Sequence, residues 1–124
     1  MKILDSSVIV ACFRTREDLH DKAVEIFLSD DGFILFDYVL SEVLTILKQK
    51  EGLDTVKKCS DFLMNAENIE MQFIDSEIFS KAMKFFTIQK NNLSFVDTLL
   101  LIFSKFENYS LVTFDKELAK MAKR

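Results

Sequence analysis

Four acidic residues lie within or directly after apolar segments, where a carboxylate is unusual unless it has a specific role. Asp97 lies within LSFVDTLLLIFSKF, a nearly continuous apolar run, and a carboxylate is costly to bury unless a partner satisfies it. Glu42 is flanked by apolar residues in VLSEVLTIL, Asp5 follows the apolar segment KIL, and Asp115 follows SLVTF. These acids come from four distant segments, so they can act together only if the fold gathers them.

Carboxylates gathered in one place favour a divalent cation. Two carboxylates about 4 to 5 Å apart, at an effective dielectric constant near 20, repel by roughly 3–4 kcal/mol, so four of them require protonation or a cation. Ligands that are all oxygen suit Mg²⁺ or Mn²⁺, and Mg²⁺ commonly binds a few carboxylates together with a substrate phosphate. We therefore predict a site for phosphoryl chemistry. We expect Asp5 and Asp97 to be its most direct ligands, with Glu42 close behind and Asp115 acting through a water or on a second ion.

Helix capping is the simpler use for three of these acids. Asp5 and Asp115 each precede a helical pattern and are candidate N-caps, and Ser94-Phe-Val-Asp97 fits a capping box. Glu42 fits no cap, which leaves salt bridging or metal binding. The sequence leaves capping and metal binding open for each aspartate.

The elements that position these acids alternate between short apolar runs and helical patterns. Strands are predicted at 2–4, 33–36, 69–74 and 110–114, and helices at 6–13, 17–30, 39–50, 55–66, 76–89, 94–106 and 116–123. Strands separated by helices favour an α/β fold, a three-layer α/β/α sandwich with a central, mostly parallel four-stranded sheet. Ligands of such sheets bind beyond the carboxyl ends of the strands. We expect one domain over residues 1–124.

Composition and charge restrict the function classes. The net charge of −4 argues against a protein that coats nucleic acid, but not against a nuclease whose acids are neutralised by metal. Cys12 and Cys59 are far apart and form no CxxC motif, which indicates reduced thiols. No apolar run approaches the roughly 20 residues of a membrane span, and the first residues do not resemble a signal peptide. We expect a cytoplasmic protein without a membrane partner.

Four segments in order, LDSSVIVA, LSEVLTIL, LSFVDTLLL and LVTFDKEL, resemble the PIN-domain nucleases. The likeness is greatest to the toxin ribonucleases of VapBC-type toxin–antitoxin pairs, and it covers nearly the whole chain. HDKAVEIF also looks like the second helix of that family. The chain departs from the family pattern at Thr98, where a small Ala is usual, and in DYVLSE, which lacks the common Thr or Pro. We also expect no fifth edge strand after the last helix, although one is common in the family, and this bears on the sheet edge and the dimer surface.

The resemblance implies cleavage of RNA that depends on Mg²⁺ or Mn²⁺ and leaves 5′-phosphate and 3′-hydroxyl ends. The family's acidic quartet falls on Asp5, Glu42, Asp97 and Asp115. Its accessory hydroxyls fall on Ser6 or Ser7 and on Thr113. The resemblance also implies inhibition by a small cognate antitoxin protein, and we expect a homodimer.

Arg14 and Arg16 follow the first helix and are candidates for contacts with RNA phosphates, with plain solvated charge as the alternative. The single histidine, His20, stands among acidic residues and is expected to be exposed. Two other functions remain open. A receiver-type phospho-acceptor domain has a similar fold, but it needs an adjacent acidic pair where Asp5 is followed by two serines. A non-catalytic module that binds RNA or protein would keep the fold without the chemistry.

Overall fold

A computed structural model of the chain describes residues 1–29 and 31–123. The strands are β1 (Lys2–Leu4), β2 (Phe33–Phe36), β3 (Ile69–Gln72) and β4 (Ser110–Val112). The helices are α1 (Ser6–Cys12), α2 (His20–Leu28), α3 (Asp37–Lys50), α4 (Leu53–Asn65), α5 (Ser76–Ile88), α6 (Phe95–Glu107) and α7 (Lys116–Ala122). Each predicted strand and helix is present, and the predicted α/β/α class is confirmed.

The sheet has the strand order β3-β2-β1-β4, and all its pairs are parallel. The chain moves outward from β1 to β3 and then returns across the sheet to β4. Because such crossovers are right-handed, the helices between β1 and β3 cover one face and those between β3 and β4 cover the other. All four residues of β2 are buried, as expected for a parallel strand covered on both faces.

Asp5, the residue that follows β1, lies beside the end of β4. Lys2, Ile3 and Leu4 pair with consecutive residues of β4, and the Asp5 amide donates to the Val112 carbonyl at 3.0 Å. Sequence positions more than a hundred apart therefore meet at the carboxyl end of the sheet. This is the edge at which the sequence places the acidic residues.

Several boundaries differ from the predictions. The predicted helix 17–30 begins only at His20 and ends at Leu28, and position 30 lies outside the described residues. The predicted strand 110–114 ends at Val112, because Thr113 and the Phe114 amide turn to bond side chains near β1. The strand predicted over 69–74 ends at Gln72 for a similar reason, since the Ile74 amide donates to a side chain of α3.

Two other expectations concern individual residues. His20 is half-buried rather than exposed, and its Nδ1 lies 2.8 Å from the Ala11 carbonyl at the end of α1. Cys12 and Cys59 are free thiols, and burial is the main cause that raises the pKa of Cys59 to about 12. Residues 1–29 and 31–123 contain four strands and no fifth, with β4 at an edge, and no helix among them is long and apolar enough to cross a membrane.

Candidate active site

Asp5 is buried at the end of β1, with only 3% of its surface exposed. It occupies the N-cap position of α1 but its side chain makes no capping bond, so capping does not explain it. Its Oδ2 accepts hydrogen bonds from Thr113 Oγ1 at 2.6 Å and from Ser7 Oγ at 2.8 Å. Its Oδ1 is buried and has no hydrogen-bond partner. A buried carboxylate oxygen left unpaired is costly, which marks Oδ1 as a position for an external ligand.

The two hydroxyls that hold Asp5 are themselves fixed by the backbone that leaves β4. Ser7 Oγ accepts the Phe114 amide and Thr113 Oγ1 accepts the Asp115 amide, each at 3.0 Å. The hydroxyls lie 3.4 Å apart. With one lone pair of each occupied by an amide, both can donate to Asp5. The early end of strand β4 and the orientation of Asp5 are thus one arrangement.

Glu42 is held by the other serine. It is half-buried in α3, and its Oε1 accepts a hydrogen bond from Ser6 Oγ at the start of α1. Within the part of the chain that the structure describes, Glu42 makes no ion pair within 4.0 Å, so the salt-bridging alternative finds no support. The adjacent serines therefore serve different carboxylates, Ser7 orienting Asp5 and Ser6 orienting Glu42.

Asp97 forms the capping box that its spacing predicts. Its amide donates to Ser94 Oγ at 3.1 Å, and its Oδ2 accepts from the Ser94 amide at 3.3 Å. Capping does not remove it from the acidic group, however. Burial raises the pKa of Asp97, and the negative charges of Asp5 and Asp115 raise it further, against the lowering effect of the Ser94 hydrogen bonds. Asp97 is therefore both a capping residue and a member of a charged cluster.

Asp115 is exposed and also caps a helix. Its Oδ1 accepts the Leu118 amide at 2.9 Å at the start of α7. Its charge reaches Asp97, which places it on the same side of the sheet as the other aspartates. The capping prediction is thus correct for Asp97 and Asp115 and wrong for Asp5.

The acids lie at one end of the sheet, but they do not form a closed cage. As the side chains stand, no three Asp, Glu, His or Cys residues within 1–29 and 31–123 form a group that could hold a metal ion. The donors fit Mg²⁺ or Mn²⁺ in another way, because these ions bind through one or two carboxylates and keep several waters. The unpaired Asp5 Oδ1 and the raised pKa of Asp97 are what a site short of positive charge produces.

The two arginines differ in their surroundings. Arg14 is paired with Glu17 Oε1 at 2.6 Å and with Glu51 Oε2 at 3.2 Å. Arg16 is exposed and makes no ion pair within 4.0 Å of another described residue. The pairing of Arg14 favours a structural role, whereas the charge of Arg16 is available to a ligand.

A cavity of about 590 Å³ adjoins Glu42, and no pattern in the sequence predicted it. Tyr38 and Asp37, in the first turn of α3, line the cavity together with Glu42. The sequence does contain an indication of this cavity wall. Tyr38 precedes Glu42 by four residues, a spacing that puts both side chains on one face of the helix.

Comparison with known proteins identifies the family. The sequence profile of the PIN domain family matches residues 2–124. The chain belongs to the PIN domain family. Members of this family are generally nucleases. A search of curated protein sequences finds no match.

Solved structures share the fold of this PIN domain at low sequence identity. VapC20 of Mycobacterium tuberculosis, described as a sarcin–ricin loop cleaving toxin, has a TM-score of 0.87 and 14% identity, covering 97% of this chain and 94% of its own. VapBC2 from Rickettsia felis, bound to a promoter DNA fragment, has a TM-score of 0.70 and 13% identity over 97% and 92% of the chains. FitAcB from Neisseria gonorrhoeae has a TM-score of 0.66 and 14% identity over 99% and 94%.

Proposed function

We propose that this PIN-domain protein is an endoribonuclease that depends on Mg²⁺ or Mn²⁺ and is the toxin of a toxin–antitoxin pair. The single observation that carries the proposal is the buried, unpaired Oδ1 of Asp5, whose side chain lies near enough to Asp97 for its charge to raise the pKa of Asp97. Family membership supports phosphodiester chemistry, and the cleaving activity in the description of VapC20 supports an RNA substrate.

The proposed mechanism assigns a separate task to each acidic side chain. Asp5 presents Oδ1 while Ser7 and Thr113 hold Oδ2, so its orientation is fixed before a ligand arrives. Asp97 lies in the first turn of α6, near enough for the charge of Asp5 to raise its pKa. We assign the ion to these two aspartates, with Glu42 next and Asp115 acting through water. When bound, the ion supplies a water of lowered pKa and neutralises charge on the phosphate.

The hydroxyls and arginines have supporting tasks in this proposal. Ser7 and Thr113 position Asp5, and Ser6 positions Glu42, as outer partners commonly orient metal ligands. Arg16 is the better candidate for an RNA phosphate, because Arg14 is already paired with two glutamates. We propose that the chain acts in the cytoplasm as a single domain over 1–124 and forms a homodimer. The complexes VapBC2 and FitAcB support an antitoxin partner.

The deciding experiment is an RNA cleavage assay with the purified chain in Mn²⁺, in Mg²⁺ and in EDTA, combined with thermal melting under the same conditions. We expect cleavage with either ion, none in EDTA, and 5′-phosphate ends on the products. An ion that binds only the folded state must raise the melting temperature, by an amount that corresponds to about 2.7 kcal/mol at a hundred times Kd.

Asp75→Asn is the matched control, because Asp75 caps α5 through the Ile78 amide at 2.9 Å and is not among the acids proposed to bind metal. This variant should cleave RNA and respond to Mn²⁺ as the wild type does. If the wild type cleaves no RNA and millimolar Mn²⁺ leaves its melting temperature unchanged, the chain is a non-catalytic binding module.

A further inference from the structure

We propose that the cavity beside Glu42 is a nucleobase subsite, in which Tyr38 stacks on a base next to the phosphate that the acidic residues bind. This inference rests on the proposed function, because it names the part of the substrate that the same site recognises. It concerns the cavity of about 590 Å³ on one face of α3. That volume lies within the range of about 300–1,000 Å³ typical of small-molecule sites.

The cavity is continuous with the acidic site through a shared side chain. Glu42 lines the cavity and also bonds Ser6, next to Asp5. On the other side, Val96 lines the cavity and is adjacent in sequence to Asp97. A nucleotide whose phosphate lies at Asp5 and Asp97 therefore has its own base, or that of its neighbour, within reach of the cavity.

The charge and polarity of the lining favour a neutral ring over a second phosphate. The wall is largely apolar, with Tyr38, Ile46 and Val96 contributing to it. Its two carboxylic acids, Asp37 and Glu42, repel a phosphate when they are ionised. Carboxylate oxygens accept hydrogen bonds from the N–H groups of a base edge. The cavity therefore fits the base of a nucleotide, while the backbone remains at the metal-binding acids.

Tyr38 is held in place before a ligand binds. Its ring packs against Phe79 with centroids 6.3 Å apart, and Phe79 packs edge-on against Phe95 at 5.4 Å. Asp37, its neighbour, is fixed because Oδ1 accepts the Ile74 amide at 3.1 Å. Because the half-buried ring lines the cavity and already packs against Phe79, stacking a base on it has little entropic cost. Base stacking on aromatic side chains tolerates many sequences and is a common way to bind single strands.

The composition of the chain allows a direct optical test that does not depend on cleavage. The sequence has two tyrosines and no tryptophan, so Tyr109→Phe leaves Tyr38 as the one tyrosine that reports on binding. This variant is titrated in Mg²⁺ with each of the four ribonucleoside 5′-monophosphates. Ribose 5-phosphate carries the same sugar and phosphate without a base, and Tyr38→Phe, in which Tyr109 is the one tyrosine, corrects for excitation light that the nucleotides themselves absorb.

We expect at least one nucleotide to quench the Tyr38 emission and ribose 5-phosphate to leave it unchanged. We further expect Tyr38→Ala to lower kcat/KM for RNA by about tenfold to a hundredfold, in line with the loss of one stacked base. Tyr38→Ala should also flatten the sequence preference at one position of a randomised RNA library. Tyr38→Phe should retain both properties, because it keeps the ring.

Two further variants test whether the effect comes from lost stacking rather than lost stability, and whether it is specific to Tyr38 rather than to any exposed aromatic ring. Tyr38→Leu keeps apolar bulk against Phe79 without a ring, and it should behave like Tyr38→Ala at an unchanged melting temperature. Phe106→Ala removes an exposed ring in the last turn of α6, far from the acids along the helix, and should cleave like the wild type.

The outcomes distinguish this inference from the proposed function. Base-dependent quenching in a protein that cleaves no RNA supports the subsite and contradicts the nuclease. Normal cleavage without quenching, with an unchanged sequence profile in Tyr38→Ala, overturns the subsite alone. If Tyr38→Ala keeps the wild-type profile but escapes inhibition by the cognate antitoxin, the cavity binds a protein partner and the inference is wrong.

Discussion

The two ends of the sheet treat their carboxylates in opposite ways. At the amino end, Lys2 begins β1 and its Nζ lies 2.6 Å from Asp31 Oδ2, so the hydrogen bond from Lys2 lowers the pKa of Asp31. At the carboxyl end, burial raises the pKa of Asp97 and the charge of Asp5 raises it further. The same residue type is thus stabilised as an anion at one end and destabilised at the other.

The difference lies in what the chain supplies as a partner. The amino end provides a lysine, whereas the carboxyl end provides hydroxyls and backbone amides. Among residues 1–29 and 31–123, no Lys, Arg or His nitrogen lies within 4.0 Å of a carboxylate of Asp5, Glu42, Asp97 or Asp115. A carboxyl group with a raised pKa and no cation from the protein beside it, as at Asp97, is typical of a functional site rather than of a structural ion pair. The carboxyl end therefore carries unneutralised negative charge, which the proposed metal ion would offset.

The largest difference between the two ends is expected when one carboxylate is neutralised at each of them in turn. Asp5→Asn should lower kcat/KM for RNA cleavage by about a hundredfold or more, because a lost metal ligand removes several kcal/mol of transition-state stabilisation. It should also abolish the rise in melting temperature with Mn²⁺. Asp31→Asn is the matched control and should change neither quantity by more than about twofold. Cleavage by Asp5→Asn at the wild-type rate would remove the functional distinction between the two ends.

Much of this site follows from local sequence and general rules of topology. Apolar runs separated by helical patterns predict a parallel sheet, and its carboxyl end then collects Asp5 and Asp115. The capping box of Asp97 with Ser94 is readable from spacing alone and is confirmed. Helix boundaries at 20 and 28 are less predictable, since the acidic residues 17, 18 and 21 are compatible with a helix or a turn.

What the sequence could not supply depends on contacts between distant segments. From the sequence, either Ser6 or Ser7 could have bonded Asp5. Ser7 bonds Asp5 and Ser6 bonds Glu42 because α1 packs between α3 and the end of β4. The early end of β4 likewise depends on Ser7, because its hydroxyl takes the Phe114 amide out of the strand pattern. The cavity at Tyr38 exists only because α6 begins beside α3.

A smaller effect is expected from removing the hydroxyls of Ser7 and Thr113, which hold Asp5 at the carboxyl end where Lys2 holds Asp31 at the amino end. Ser7→Ala and Thr113→Val should each lower cleavage by less than about a hundredfold, because the remaining hydroxyl still holds Asp5 Oδ2. The double variant should lose more than the product of the two single losses. Ser7→Ala should also cost about 1–3 kcal/mol in the free energy of unfolding, since it leaves the Phe114 amide unpaired.

The control for this double-mutant cycle of Ser7→Ala and Thr113→Val is a second cycle that combines Ser6→Ala with Thr113→Val. Ser6 bonds Glu42 rather than Asp5, so the losses in kcat/KM should multiply without a coupling term. If the losses of Ser7→Ala and Thr113→Val also multiply without a coupling term, the two hydroxyls do not hold Asp5 Oδ2 jointly.

The smallest effect is the pH dependence of stability, which should have opposite signs at the two ends. In EDTA, the raised pKa of Asp97 means that the folded state binds this proton more tightly than the unfolded state, so this residue's contribution to stability increases as pH falls from the raised pKa toward the ordinary value. The lowered pKa of Asp31 means that its contribution is present above the ordinary value and is lost as pH falls through the lowered one.

Melting temperatures of Asp97→Asn and Asp31→Asn, each subtracted from the wild type across acidic pH, measure these two contributions. The Asp97 difference should move in favour of the wild type on mild acidification, and the Asp31 difference against it only at lower pH. Saturating Mn²⁺ should flatten the Asp97 curve, because a carboxylate that binds the ion stays ionised, and leave the Asp31 curve unchanged. Two curves of the same sign would mean that Asp97 is stabilised as an anion by the fold itself, and the carboxyl end would then have no need of a cation.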